Sequence, residues 1–157
     1  MLWILDRVVI PVASGAIFVR IGNFINSEII GKEVTDFPLG VQFLKDSIGE
    51  RQATIITKIK DPNKAYDAIA NNPEFAEILA SVPFRHPAQL YESFGYIFVF
   101  LTLLYFYWKT DKSKQLGFLF GLFLVLLWTV RFFVEFVKEA QVDTRGDWFL
   151  NTGQWLS

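Results

Sequence analysis

The sequence predicts an all-α membrane protein, a polytopic helical bundle of about three full spans plus the start of a fourth, with a small mixed extramembrane excursion. Three observations carry this reading. Hydrophobic residues make up 52% of the 157 residues, with 17 phenylalanines and a positive mean hydropathy. An average soluble domain is about 45–50% apolar with glycine included, whereas here glycine comes on top. The apolar residues are also gathered into blocks long enough to cross a ~30 Å hydrocarbon core at 1.5 Å per residue. Finally, charge and proline are concentrated in one stretch between those blocks. The expected organisation is one membrane domain over 1–157, with spans at about 8–30, 88–108 and 116–137, an extramembrane insert at 32–85, and the start of a last span at 148–157.

The first span begins at Val8 and tolerates Pro11 and Gly15 if neighbours satisfy the backbone. It does not read as a cleavable signal peptide, because Asp6 and Arg7 follow the first apolar residues and Pro11 interrupts the run. Its second half is unexpectedly polar. At about 100° per residue, Ala13, Ala16, Arg20, Asn23, Ser27 and Gly31 share one stripe, with Asn26 in the same stretch and Glu28 at the stripe's edge. Such a stripe suits a polar headgroup brought close to the backbone. It equally suits a helix end leaving the membrane.

The insert mixes charges with Pro38, Pro62, Pro73 and Pro83. Its β-branched run from Ala53 to Ile59 predicts a short strand, followed by a turn at Asp61-Pro62 and helices over 65–70 and from Pro73 to about Ala80. The second span starts near Ala88, so Gln89 and Glu92 lie within the bilayer or at its edge, and Tyr105, Tyr107 and Trp108 close it as an interfacial belt. The connector Lys109–Lys114 carries three lysines against one aspartate, which places it on the cytoplasmic side. Arg20–Glu28, Gln89–Glu92 and Arg131–Glu135 are then expected to approach the opposite, outer leaflet together.

The third span sets Gly117, Gly121, Leu124, Trp128, Arg131 and Glu135 on one face. The Gly117-x-x-x-Gly121 spacing predicts close helix contact. Arg131 and Glu135 are four apart and can pair with each other. Against simple pairing stands cost, since an arginine at the centre of a span costs about 2.5–3.5 kcal/mol on insertion scales. Arginine's planar fork suits a phosphate or carboxylate. His86 reads as a capping or interfacial residue or as an acid–base group, and the Trp and Tyr residues read as belt and packing. A net charge of −1 argues against a nucleic-acid partner. The absence of cysteine excludes disulfides, thiolate metal sites and a cysteine nucleophile, and one histidine leaves no His-cluster metal site.

Three motifs in order, Arg20-x-Gly22-Asn23-Phe24-x-Asn26-x-Glu28 followed by Gly31, then Arg85-His86-Pro87-x-Gln89-Leu90-Tyr91-Glu92, then Arg131-x-x-x-Glu135-Phe136, resemble the signature of the prolipoprotein diacylglyceryl transferases. Gly153-Gln154-Trp155-Leu156-Ser157 resembles the start of that family's last membrane helix. The resemblance implies a multi-pass enzyme of the bacterial inner (cytoplasmic) membrane whose site faces the outer leaflet. The expected reaction moves diacylglyceryl from phosphatidylglycerol to the lipobox cysteine thiol of a preprolipoprotein. No cofactor is expected. On this resemblance Arg20, Asn23, Asn26, Glu28 and Gly31 bind phosphatidylglycerol, and Arg131, Glu92 and Glu135 are the catalytic candidates. The family's His-Gly-Gly segment is missing, Leu127 stands where many members carry tyrosine, and Ser27 stands where glycine is usual. The resemblance therefore implies a C-terminal portion of the enzyme. A catalytically incomplete phospholipid-binding fragment and an anion channel or transporter piece are the competing readings.

Overall fold

The computed structural model describes residues 1–35 and 37–138. Three long helices, α1 (Leu2–Ile25), α6 (Ala88–Lys109) and α7 (Phe118–Glu135), are each long and apolar enough to cross a membrane. Between α1 and α6 lies a small unit of α2 (Leu44–Ser47), α3 (Glu50–Thr57), α4 (Pro62–Asn71) and α5 (Ala76–Ser81), clasped by the antiparallel pair β1 (Val41–Gln42) and β2 (Phe84–Arg85). This is the expected all-α membrane architecture with a small mixed excursion. The expected start of a further span at 148–157, with Gly153–Ser157, lies outside the described residues.

The three long helices pack on one another through Val9, Ala13, Val99, Leu103, Leu119 and Phe123, while Phe18, Phe94 and Phe133 point outward and remain exposed. An apolar exterior of this kind suits a bilayer, not water. The close helix contact falls elsewhere than the glycine spacing predicts. A Cβ on Gly121 would meet nothing within 4 Å, whereas one on Gly95 of α6 would lie 2.5 Å from Val130 Cγ1 of α7. Gly117 serves instead as the residue before α7, at φ +86°, a left-handed backbone that favours glycine.

α1 starts six residues earlier than the expected boundary at 8, and this first part carries Asp6. Its carboxylate, in a residue 1% exposed, accepts from the backbone N–H of Gly117 at 2.6 Å and of Phe120 at 2.9 Å. The free donors at the start of α7 are thus capped by a side chain from α1. This bond also fixes the starts of α1 and α7 at the same end, beside the 109–117 connector. Asp6→Ala is expected to lower stability by about 2–3 kcal/mol, because it removes a cap and leaves buried donors unpaired. Thermal unfolding in detergent measures this, and Asp6→Asn should recover part of the loss.

α1 also stops earlier than the expected boundary at 30. Glu28 N–H donates to Asn23 O at 2.8 Å and Ser27 N–H to Phe24 O at 3.1 Å, with Ser27 at φ +59°. This is the Schellman arrangement, with serine in the position that glycine usually takes. Ser27 and Gly31 therefore leave the helical stripe on which their spacing placed them.

The run 53–59, expected as a strand, is mostly helical. Ala53 is fully buried against Ala65 and Ile69 of α4, and Thr57 Oγ1 donates back to Ala53 O at 2.8 Å. Packing of a small face overrides β-branched propensity here, as threonine's back-bond permits. The unit keeps its own core of Ile48, Ala53, Ala65, Tyr66, Ile69 and Val82. Burial first, and Glu50 second, raise the Tyr66 phenol above its ordinary range, and its hydroxyl donates to Ile48 O at 2.8 Å.

Candidate active site

At the end of the bundle away from the connector, three chain segments are sewn together by backbone bonds. Gly31 N–H donates to His86 O at 3.0 Å, His86 N–H to Lys32 O at 3.0 Å, and Lys32 N–H to Val137 O at 2.9 Å. Lys32 Nζ adds a bond to Phe136 O at 3.0 Å. The exit of α1, the entry of α6 and the exit of α7 therefore meet. The polar stretches expected to converge do so here.

The centre of this meeting is an ion pair between helices. Arg20 Nε lies 2.6 Å from Glu92 Oε2, with the Glu92 residue 2% exposed. Taking two such charges out of water is costly unless the geometry is close, and here it is. One turn along α6, Tyr96 is 3% exposed and lies beside the Arg20 guanidinium, within electrostatic range of Glu92 and Arg131. Both arginines, one on α1 and one on α7, thereby act on one buried phenol.

Arg131 and Glu135 do not pair, although helical spacing permits it. Arg131 stacks over Trp128 with its guanidinium carbon 5.2 Å from the ring centre, and Glu135 lies 3.8 Å from Lys138 Nζ. Among the described residues no carboxylate comes within ion-pair distance of Arg131. One arginine is neutralised by Glu92, and the other keeps its charge available.

The remaining predicted site residues divide. The Asn23 side chain is half-buried on α1 near its end, and its amide has no hydrogen-bond partner among the described residues. Asn26 and Glu28 are exposed on the turn after α1, and the Glu28 backbone carbonyl accepts from Gln89 Nε2 at 2.6 Å. Gly31 is buried by backbone alone, since a Cβ there would lie 2.5 Å from His86 O and 2.9 Å from Val137 O. His86 is half-buried, with Nδ1 3.2 Å from the Tyr91 hydroxyl and its ring 4.6 Å from that of Phe37. It belongs to the rim.

The family model for prolipoprotein diacylglyceryl transferase matches residues 1–157. The chain belongs to this family. It is 38% identical over 156 residues to the phosphatidylglycerol–prolipoprotein diacylglyceryl transferase of Tolumonas auensis, covering 99% of this chain and 46% of that relative. It is 36% identical to the relative of the same name in Bacteroides fragilis, covering 98% of this chain and 43% of that one. The same name and 36% identity hold for Chloroherpeton thalassium, at 99% and 45%. The chain thus spans less than half the length of these curated relatives. No solved structure matches it significantly.

Within this member of the diacylglyceryl transferase family, sequence reasoning missed Tyr96. The signal was present as a helical stripe, Gln89, Glu92, Ser93, Tyr96, Val99 and Leu103, all of them buried. Tyr96 reads as packing only while Glu92 is considered apart from the residue one turn along. Lys138 was missed too. It is 8% exposed and sits four residues beyond Val134, at the junction with Gly31. Its charge becomes part of the site only through that junction.

Proposed function

We propose that the chain takes part in transferring diacylglyceryl from phosphatidylglycerol to the lipobox cysteine thiol of a preprolipoprotein, in the bacterial inner membrane, with the site open to the outer leaflet. Support comes from one observation above all. Two arginines from different helices flank a buried position, and only one of them is neutralised by a carboxylate. Such an arrangement carries positive charge in reserve for an anionic group in a water-poor setting, where electrostatic attraction is strongest.

In this reading Arg20, held by Glu92, binds the lipid phosphate with the free Asn23 amide beside it. The Asn26 and Glu28 turn borders the headgroup, and Gly31 fixes the rim. The thiol sulfur attacks the glyceryl carbon bonded to the phosphate oxygen. A carbon–sulfur bond forms, the carbon–oxygen bond breaks, and its electron pair leaves on the phosphate as glycerol phosphate. Arg131 faces the charge that grows on that oxygen. Glu92 is held by Arg20 at 2.6 Å, whereas Glu135 is more loosely engaged, 3.8 Å from Lys138 Nζ, so Glu135 is the carboxylate better placed to accept the thiol proton.

The test supplies the purified chain with phosphatidylglycerol radiolabelled in its acyl groups and a lipobox peptide. The expected result is label on the peptide cysteine and release of glycerol phosphate. Phosphatidylglycerol binding without transfer would replace this function by that of a phospholipid-binding fragment. Neither binding nor transfer would overturn both.

A further inference from the structure

The opposite end of the bundle carries a feature that the transfer reaction does not use. Arg7, in the second turn of α1, stands at a cavity of about 270 Å³ whose other walls are Ile10, Pro11, Leu104, Tyr107 and Trp108. The walls are almost wholly apolar, and the groove opens outward between α1 and the last turns of α6. Trp108 is 72% exposed at its edge. The groove therefore combines an apolar trough with an arginine in its wall, the two kinds of group that a lipid needs.

The cation is not spent within the protein. Among the described residues no carboxylate pairs with Arg7. Its nearest acid in sequence, Asp6, is turned inward to cap α7. Arg7 instead donates to Trp3 O at 3.2 Å and stacks over the Trp3 ring at 3.9 Å, which holds the guanidinium flat at the bundle surface. Pro11 has no N–H, so the Arg7 carbonyl also lacks its helical donor at the same wall. Lysines outnumber acids in the connector at this end. Lys109 ends α6, and Lys112 lies over Phe118, while Asp111 is engaged by Lys114 at 2.6 Å.

We propose that this groove seats one anionic phospholipid of the leaflet at the connector end, its phosphate on Arg7 and an acyl chain along Ile10, Leu104 and Tyr107. The charge complementarity commits the occupant. A neutral or zwitterionic lipid would fill the trough but leave the arginine without a net counter-charge, and an apolar helix would leave it in hydrocarbon. The site is separate from the Arg20–Arg131 cluster, which lies at the far end of the same helices.

Native mass spectrometry of the chain in mild detergent, titrated with phosphatidylglycerol or phosphatidylcholine, tests this. Two phosphatidylglycerol molecules are expected to bind. Arg7→Gln should weaken one of them about five- to tenfold, the loss of one cation at a lipid headgroup, and Arg7→Lys should retain it. Arg20→Gln combined with Glu92→Gln, which leaves no stranded carboxylate, should remove the other. Ile10→Trp fills the trough while keeping the arginine and should expel the same lipid as Arg7→Gln, so the result does not hang on one variant. Circular dichroism confirms that each variant keeps its helices. Unchanged binding in both Arg7→Gln and Ile10→Trp would overturn the proposal. So would equal occupancy by phosphatidylcholine, or a wild-type chain that binds a single lipid lost only with the Arg20→Gln, Glu92→Gln double variant.

Discussion

Arg131→Ala is expected to lower transfer by roughly 10²–10³-fold, the usual cost of removing one donor aimed at charge that develops in a transition state. The loss should fall on turnover, with phosphatidylglycerol binding changed little. The structural reason is that Arg131 has no carboxylate partner among the described residues, so its removal strands no buried anion. Arg20→Ala is a different experiment. It leaves Glu92 buried and unpaired, and breaking such a pair costs about 3–5 kcal/mol. Loss of activity in Arg20→Ala alone would therefore mix a binding defect with a folding defect. Arg20→Ala combined with Glu92→Gln removes the stranded charge, and its folded fraction should return while phosphatidylglycerol binding stays lost. Turnover and binding are read in the labelled-lipid assay, and the folded fraction by thermal unfolding. An Arg131→Ala protein with wild-type turnover would remove that residue from the reaction.

What was legible in the sequence follows from which physical signals are local. The three spans declare themselves by length and apolarity alone, and the helices bear this out. The convergence of Arg20, Glu92 and Arg131 at one end was also legible, because helices that cross a membrane must alternate direction. The pairing was not. Arg131 and Glu135 share a helix and invite each other by spacing, yet Arg20 takes Glu92 from another helix and Glu135 turns to Lys138. Spacing sees only one helix, whereas the partner is chosen by packing between helices. The helix stop at Ile25 was hidden for a related reason. A glycine in the place of Ser27 would have signalled the Schellman turn, and serine at φ +59° gives no such signal. The strand expected at 53–59 failed because β-branched residues describe a context-dependent preference spanning only about 1 kcal/mol, while Ala53 is fully buried against α4.

Gly31→Ala is expected to be the most damaging single-methyl change in the described chain. The added carbon would lie 2.5 Å from His86 O, 2.6 Å from His86 Cβ and 2.9 Å from Val137 O. The contacts on both sides are backbone or Cβ, so no flexible side chain can swing away. Relief requires the segments to part, and the bonds lost first are Gly31 N–H to His86 O and Lys32 N–H to Val137 O. Overpacking and two lost hydrogen bonds together suggest a destabilisation of about 2–4 kcal/mol. The functional effect should exceed the thermal one. These bonds join the exit of α1 to the entry of α6 and the exit of α7, and Arg20 lies five residues before the end of α1 while Glu92 lies four residues after the start of α6. A shift of about 1 Å in such a seam can cost 10²-fold in rate. Gly31→Ala should therefore lose transfer and phosphatidylglycerol binding at temperatures where circular dichroism still shows full helix content. A variant with normal transfer and an unchanged midpoint would mean that the seam tolerates the methyl, and that the site does not depend on how closely the three segments are drawn together.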